Sequence, residues 1–106
     1  MKSMLAAILF VAISATPGLA NCYEDIGCTD SEIFSKAALR PMSCQILWEV
    51  RNQIYHENGY CFQTDRGRAA FSNDGCHESD QGAIKLNSYE RSNVKRIRQV
   101  EIQKGC

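Results

Sequence analysis

The feature that most constrains this 106-residue chain is its six cysteines, all of which lie after residue 20. They are Cys22, Cys28, Cys44, Cys61, Cys76 and Cys106. An even number of cysteines in a small exported domain is typical of a disulfide framework, because so small a core is only marginally stable by itself. Six cysteines can pair in many ways, and the sequence does not choose among them. We favour the local bridges Cys22–Cys28 and Cys61–Cys76, which leave Cys44–Cys106 as a long one.

The first twenty residues have the three-part layout of a secretory signal peptide. Lys2 supplies a positive charge, residues 4–15 are apolar but too few to span a bilayer, and residues 17–20 end in small side chains. The sequence therefore predicts a signal peptide at residues 1–20, cleaved after Ala20, and a periplasmic or secreted protein. We expect no transmembrane segment in the exported chain.

The overall charge gives no reason to expect a nucleic-acid partner. Loss of Lys2 from twelve Lys and Arg residues leaves eleven, against twelve Asp and Glu residues, so the exported chain has a net charge of about −1. Residues 22–32 nevertheless carry four acidic side chains and no basic one, whereas residues 85–104 carry six basic side chains and only two acidic ones. We interpret the acidic stretch as charge at the start of a helix, where it favours the helix dipole.

Apolar periodicity predicts a small all-α domain of three to four short helices, stapled by disulfides. After the N-cap residue Ser43, the positions Leu47, Val50 and Ile54 recur at helical spacing. Asn58-Gly59 then predicts a left-handed helix end.

Two more helices follow in the prediction. Thr64-Asp65 begins a short one, which residues 73–75 close. Asn87 and Glu90 have the spacing of a capping box and begin the last helix. That helix is expected to reach about Lys104 before Gly105, with Val94, Ile97 and Val100 as its apolar face.

Residues 21–42 are expected to form a cysteine-containing extension with one short helix, ahead of the helical domain at residues 43–106. Thr29 and Glu32 have capping-box spacing, which predicts a helix from there to about Leu39, before Pro41. No segment alternates at period two for long enough to predict a strand.

The run of residues 47–62, LWEVRNQIYHENGYCF, resembles the core motif of the YARHG domain, a small bacterial extracytoplasmic domain of unknown molecular function. The matching positions are Arg51, Asn52, Ile54, Tyr55, Gly59, Tyr60 and Phe62. Further on, the closing helix of that family is matched by Leu86, Asn87, Glu90, Asn93 and Ile97. The resemblance extends over about residues 44–106 and implies an exported domain without naming a reaction. The chain departs from the motif at its centre, where Asn58 holds the histidine position, so chemistry by that histidine is not open to it.

The resemblance singles out a polar set of motif residues, namely Arg51, Asn52, Tyr55, Gly59, Glu90 and Asn93. Arg51 lies within the width of one apolar helix face and Glu90 on the apolar side of another, so we expect the two to pair across the interface. Buried polar groups must be hydrogen-bonded, and they fix one arrangement of helices. The alternative is that these residues line a polar ligand pocket.

The sequence offers no catalytic set and no metal site. Cys61 near His56 suggests a thiol nucleophile, but a disulfide-bonded sulfur is not nucleophilic. The chain lacks a C-x-x-C pair, and the adjacent Cys76-His77 have poor geometry for one ion. We therefore expect a protein that is not an enzyme and uses no cofactor or metal.

The last predicted helix carries a basic stripe. Arg91, Lys95 and Arg98 recur at helical spacing, with Arg96 beside them. The stripe is either a solvated face or a contact for an anionic partner such as an acidic glycan, a lipid head group or an acidic protein surface. A second set of side chains forms either a core or a platform for sugar rings: Trp48, Tyr55, Tyr60 and Phe62.

These observations favour an exported, non-enzymatic module that binds a cell-wall polymer or an envelope protein. The alternative is an inhibitor of an envelope-degrading hydrolase, with the loop of residues 76–85 as its working part. A third hypothesis is a small acid/base enzyme that uses His56, Glu57 or Glu90, which requires these side chains to cluster in one cleft.

Overall fold

The computed structural model describes residues 21–106, and the predicted signal peptide at residues 1–20 lies outside them. The described chain forms a short hairpin and four α-helices. Their bounds are β1 Cys22–Tyr23, β2 Gly27–Cys28, α1 Lys36–Leu39, α2 Cys44–Glu57, α3 Asp65–Ala70 and α4 Ser88–Lys104. A 3-10 turn at Gln81–Ala83 lies in the loop before α4. The prediction of a small all-α domain stapled by disulfides is confirmed.

The hairpin of β1 and β2 is an element that the sequence did not predict. The strands are antiparallel, with Cys22 opposite Cys28, and Gly27 takes a φ of +108°. Each strand has two residues, which is too short for an alternating pattern to appear in the sequence. The turn places Glu24 and Asp25 at its tip, so the interpretation of these acidic residues as helix-start charge is wrong.

Helix α1 begins later than the Thr29–Glu32 spacing predicted. Thr29 is fully buried and does not cap a helix, while the Glu32 carboxylate accepts a hydrogen bond from the backbone N–H of Cys28 at 2.6 Å. Ser35 is the N-cap instead, and its hydroxyl accepts from the Ala38 N–H. The helix still ends at Leu39, as expected before Pro41.

The starts of the other helices follow the local chemistry of the sequence, whereas α3 ends at Ala70, before the predicted turn at residues 73–75. The hydroxyls of Ser43 and Thr64 cap α2 and α3. Asn87 and Glu90 form the predicted capping box of α4, and Gly105 ends that helix with a φ of +76°.

A single core joins the N-terminal segment to the helical part of the chain. It is formed by Ile26, Phe34, Leu39, Leu47, Val50, Ile54, Ile97 and Val100. Each fully buried side chain of this size contributes about 1.5–3 kcal/mol to folding. Residues 21–42, which the sequence predicted to be an extension, thus supply three of the core side chains, Ile26, Phe34 and Leu39.

The disulfides join the pairs that we favoured, Cys22–Cys28, Cys44–Cys106 and Cys61–Cys76. The first closes the hairpin. The second joins the first residue of α2 to the residue after Gly105, which sets these two helices antiparallel with a fixed register. The third ties the segment after α2 to the loop that follows α3.

Candidate functional site

Arg51 pairs with Glu101 and not with Glu90, so the predicted partner is wrong. Its Nε and Nη2 atoms donate to the two carboxylate oxygens of Glu101 at 2.8 and 3.1 Å. Both side chains are 12 % exposed. The partner is set by the register of α2 against α4, which the Cys44–Cys106 bridge fixes. Measured along the helix axes from this bridge, Arg51 lies about 10 Å away on α2 and Glu101 about 8 Å away on α4. Glu90 lies about 24 Å away on α4, which is too far to meet Arg51.

Glu90 has other partners and is buried. One oxygen accepts from the Asn87 N–H at 2.8 Å, closing the capping box, and the other accepts from the Asn58 amide at 2.9 Å. Asn58 also donates to the Ile54 carbonyl at 2.7 Å. The residue at the family's histidine position therefore links the end of α2 to the start of α4.

Asn93 is fully buried and fastens the N-terminal segment to α4. Its Oδ1 accepts from the Phe34 N–H at 2.8 Å, and its Nδ2 donates to the carbonyls of Thr29 and Glu32 at 3.0 and 2.8 Å. These three bonds hold residues 29–34 in a non-helical path, which explains why the Thr29 capping signal is not used.

The remaining motif residues also face inward or carry the turn. Asn52 donates to the Trp48 carbonyl at 2.9 Å, and Tyr55 packs edge-on against Tyr60. Gly59 has a φ of +87°, and a Cβ there would collide with the His77 ring, so glycine is required on two grounds. The contacts of the polar motif thus serve the fold.

The side chains proposed for acid/base chemistry have different surroundings. The His56 ring packs against Phe71, with ring centroids 5.3 Å apart. Partial burial raises the pKa of Glu57 above its usual value; the hydrogen bond from Gln53 acts in the opposite direction. His56 and Glu57 both line an open cavity of about 660 Å³, which Glu90 does not line.

The aromatic side chains form a cluster around α3. Phe62 is buried and stacks on Phe71 at 4.9 Å, while the Arg66 guanidinium lies 3.9 Å from the centre of the Trp48 ring. Arg66 covers the broad face of Trp48, which counts against a flat platform for sugar rings at this position.

The basic stripe on α4 is exposed, but its members do not line one site. Arg91 donates to the Leu86 carbonyl, and Arg98 lies near the Arg51–Glu101 pair. Lys95 instead lines a cavity of about 370 Å³ together with Arg96 and with Lys36 of α1. We call Lys36, Lys95 and Arg96 the basic patch.

The participation of Lys36 in the basic patch was not predicted from the sequence. Ser92 and Gln99 complete the lining with groups that form hydrogen bonds, and among the described residues no carboxylate lines this cavity. Lys36 lies far from α4 in the sequence, and it arrives there because α1 packs on α4. No local pattern signals that approach.

An apolar groove of about 540 Å³, also not predicted from the sequence, lies between the hairpin, α2 and the end of α3. Its apolar lining, which we call the floor, includes Met42, Ile46, Val50 and Phe71, and the Tyr23 ring also lines the groove. Three exposed carboxylates, which we call the rim, line it as well: Glu24, Asp25 and Glu49. Burial raises the pKa of Tyr23, and the nearby Glu57 and Glu49 carboxylates add to the rise. The available signal was Ile46, an apolar residue outside the Leu47/Val50/Ile54 face.

Within residues 21–106, no group of three or more His, Cys, Asp or Glu side chains is arranged to hold a metal ion. In the same part of the chain, no helix combines the length and the apolar character that a membrane crossing needs.

The fold and its contacts define a class of protein, namely a small helical module stapled by disulfides. The chain belongs to the YARHG domain family, whose model matches residues 24–102. The match begins within the segment treated above as an extension, in agreement with the shared core. Searches of the curated proteins and of the solved structures found no match.

Proposed function

We propose that this protein is a non-enzymatic module that binds an anionic polymer of the cell envelope through the basic patch, in the periplasm or after secretion. The observation that carries the proposal is the convergence of Lys36, Lys95 and Arg96 on one cavity without a carboxylate among its described lining residues. Three cations placed together repel one another, and a carboxylate or phosphate group relieves that repulsion.

The surroundings of the basic patch support this proposal. Arg51–Glu101 is the only ion pair within residues 21–106, so the three cations keep their charge available. Ser92 and Gln99 line the same cavity and offer hydrogen bonds to an oxygen-rich ligand. The polar motif, by contrast, is occupied by contacts inside the fold.

Co-sedimentation with purified cell-wall sacculi at low and moderate salt tests the proposal. We expect binding at low salt that weakens at moderate salt, because exposed charges are screened. Lys95→Gln should reduce the bound fraction, and the Lys36→Gln/Lys95→Gln/Arg96→Gln variant should abolish binding. Lys85→Gln is the matched control, since it removes the same charge from an exposed residue outside the patch. Absence of binding at both salt concentrations would exclude a wall polymer as the ligand.

A second candidate is an inhibitor of an envelope-degrading hydrolase, favoured by the anchoring of the loop of residues 76–85. The Cys61–Cys76 bridge fixes one end of the loop, and the Cys61 N–H donates to the Glu78 carbonyl at 2.8 Å. Asp80 caps the 3-10 turn inside the loop. A loop held in one conformation loses little entropy on binding, as an inhibitor requires. Assays against a panel of lysozymes test it, and no inhibition at excess protein rejects it.

A further inference from the structure

The apolar groove has the features of a binding site separate from the basic patch. The two share no lining residue, and they carry opposite charge. The groove volume of about 540 Å³ falls within the range of about 300–1,000 Å³ that is common for ligand sites.

Part of the groove is lined by a stripe of α2. Ile46 and Val50 provide its apolar part, and Gln53 lies one turn beyond. The stripe from residue 46 to residue 53 rises about 10 Å, which equals the length of about three extended residues. Ile46 is 43 % exposed although its neighbours in the groove are apolar, so its side chain is available to an occupant.

The rim determines the charge of the occupant. Glu24, Asp25 and Glu49 line the groove together with the apolar floor, and among the described residues no lysine, arginine or histidine lines it. None of the three carboxylates has an ion-pair partner within residues 21–106. Apolar surface beside carboxylates that lack an ion-pair partner is complementary to an apolar side chain flanked by cations.

We propose that the apolar groove binds a short, extended segment of a partner protein in which lysine or arginine flanks apolar side chains. The apolar side chains lie against Ile46, Val50 and Phe71. The flanking cations reach the carboxylates of Glu24, Asp25 and Glu49. This inference goes beyond the proposed function, because it concerns another surface and a ligand of opposite charge.

Binding of terminally blocked, fluorescently labelled peptides to the exported protein tests the inference by anisotropy. The probes are Lys-Leu-Phe-Lys, its charge-reversed form Glu-Leu-Phe-Glu and its polar form Lys-Ser-Ser-Lys. We expect the first to bind at least about tenfold more tightly than either of the others, because only it matches both the floor and the rim. Raising the salt concentration should weaken its binding several-fold.

Two variants and two matched controls locate the site. Ile46→Ser and Glu24→Gln/Asp25→Asn should each weaken binding of Lys-Leu-Phe-Lys by about fivefold or more. Ile102→Ser controls for the loss of an exposed isoleucine, since Ile102 is 76 % exposed on α4, and Asp74→Asn controls for the loss of an exposed carboxylate. Both controls should bind as the unaltered protein does. All substituted positions are at the surface, so an unchanged melting temperature verifies the fold of each variant.

Three results would overturn the inference. The first is equal binding of all three peptides, or none. The second is undiminished binding by Ile46→Ser. The third is a dimer that Ile46→Ser converts to a monomer, which would show that a second copy of this chain covers the groove. Sacculus binding can fail or succeed independently of all three, because it depends on other residues.

Discussion

Asn93 lies fully buried in α4 and makes three hydrogen bonds to the backbone of residues 29–34. Arg51, on α2, is held by two hydrogen bonds to one carboxylate on α4. Both residues were singled out from the sequence as polar members of a motif, and each connects segments 50 or more residues apart. Their energetic roles are different, because Asn93 forms hydrogen bonds with buried backbone groups, whereas Arg51 forms an ion pair with the Glu101 carboxylate.

Asn93→Leu should lower the free energy of unfolding by about 3 kcal/mol or more. The substitution keeps the number and branching of the side-chain heavy atoms but leaves one N–H and two carbonyls without partners, and each costs about 1–3 kcal/mol. Urea unfolding measures the change. Gln103→Leu, at an exposed position of the same helix, should stay within about 0.5 kcal/mol of the unaltered protein. An equal effect of the two variants would contradict the role of Asn93.

Arg51→Met should lower the free energy of unfolding by about 1.5–3 kcal/mol. It removes a bidentate, charge-assisted interaction between two side chains that are each only 12 % exposed. A double-mutant cycle with Glu101→Gln should give a coupling energy of about 1 kcal/mol or more. The corresponding cycle with Glu90→Gln should give a value near zero. Coupling to Glu90 instead of Glu101 would contradict the register of α2 against α4.

At the scale of elements, helix ends and helix register have different origins. The side chains of Ser43, Thr64 and Asn87 each accept a hydrogen bond from the backbone N–H three residues later. These helix starts therefore depend only on residues that are close in the sequence. The register between α2 and α4 depends instead on the Cys44–Cys106 bridge and on the packing of Leu47 and Ile54 against Ile97 and Val100. That register decides which carboxylate meets Arg51.

Removal of the Cys44–Cys106 bridge should destabilise the protein more than removal of the hairpin bridge. The loops closed by the two disulfides span 62 and 6 residues. Loop-closure entropy then predicts losses of about 4 and about 2 kcal/mol, respectively. Unfolding of Cys44→Ala/Cys106→Ala and of Cys22→Ala/Cys28→Ala measures both, each serving as the control for the other. A larger loss from the hairpin pair would contradict this order.

At the scale of the whole molecule, a net charge near zero conceals two separated surfaces of opposite sign. The basic patch joins α1 to α4, and the rim of the apolar groove joins the hairpin to α2. Each surface combines residues that are distant in the chain. The near balance of charges in the composition therefore says little about what the folded molecule can bind.

The intact mass of the exported protein, alkylated without reduction, should correspond to a chain that begins at Asn21. It should be two hydrogens lighter for each of the three disulfides and carry no alkyl group. The same sample alkylated after reduction is the control and should gain six labels, one for each cysteine. Labelling without reduction would reveal a free thiol pair and return Cys61 and His56 to consideration as a reactive site.

The sequence by itself determined the helical class, the starts of α2, α3 and α4, the left-handed turn at Gly59 and the need for disulfides. These follow from interactions within three or four residues, or from composition and size. The tertiary structure decided the late start of α1, the partner of Arg51, the hairpin, the basic patch and the apolar groove. In each of these features, residues far apart in the chain come into contact. Which side chains interact there depends on which ones the packing of the chain brings within hydrogen-bonding or van der Waals distance. Asn93 shows this directly, because its three hydrogen bonds override the capping signal of Thr29.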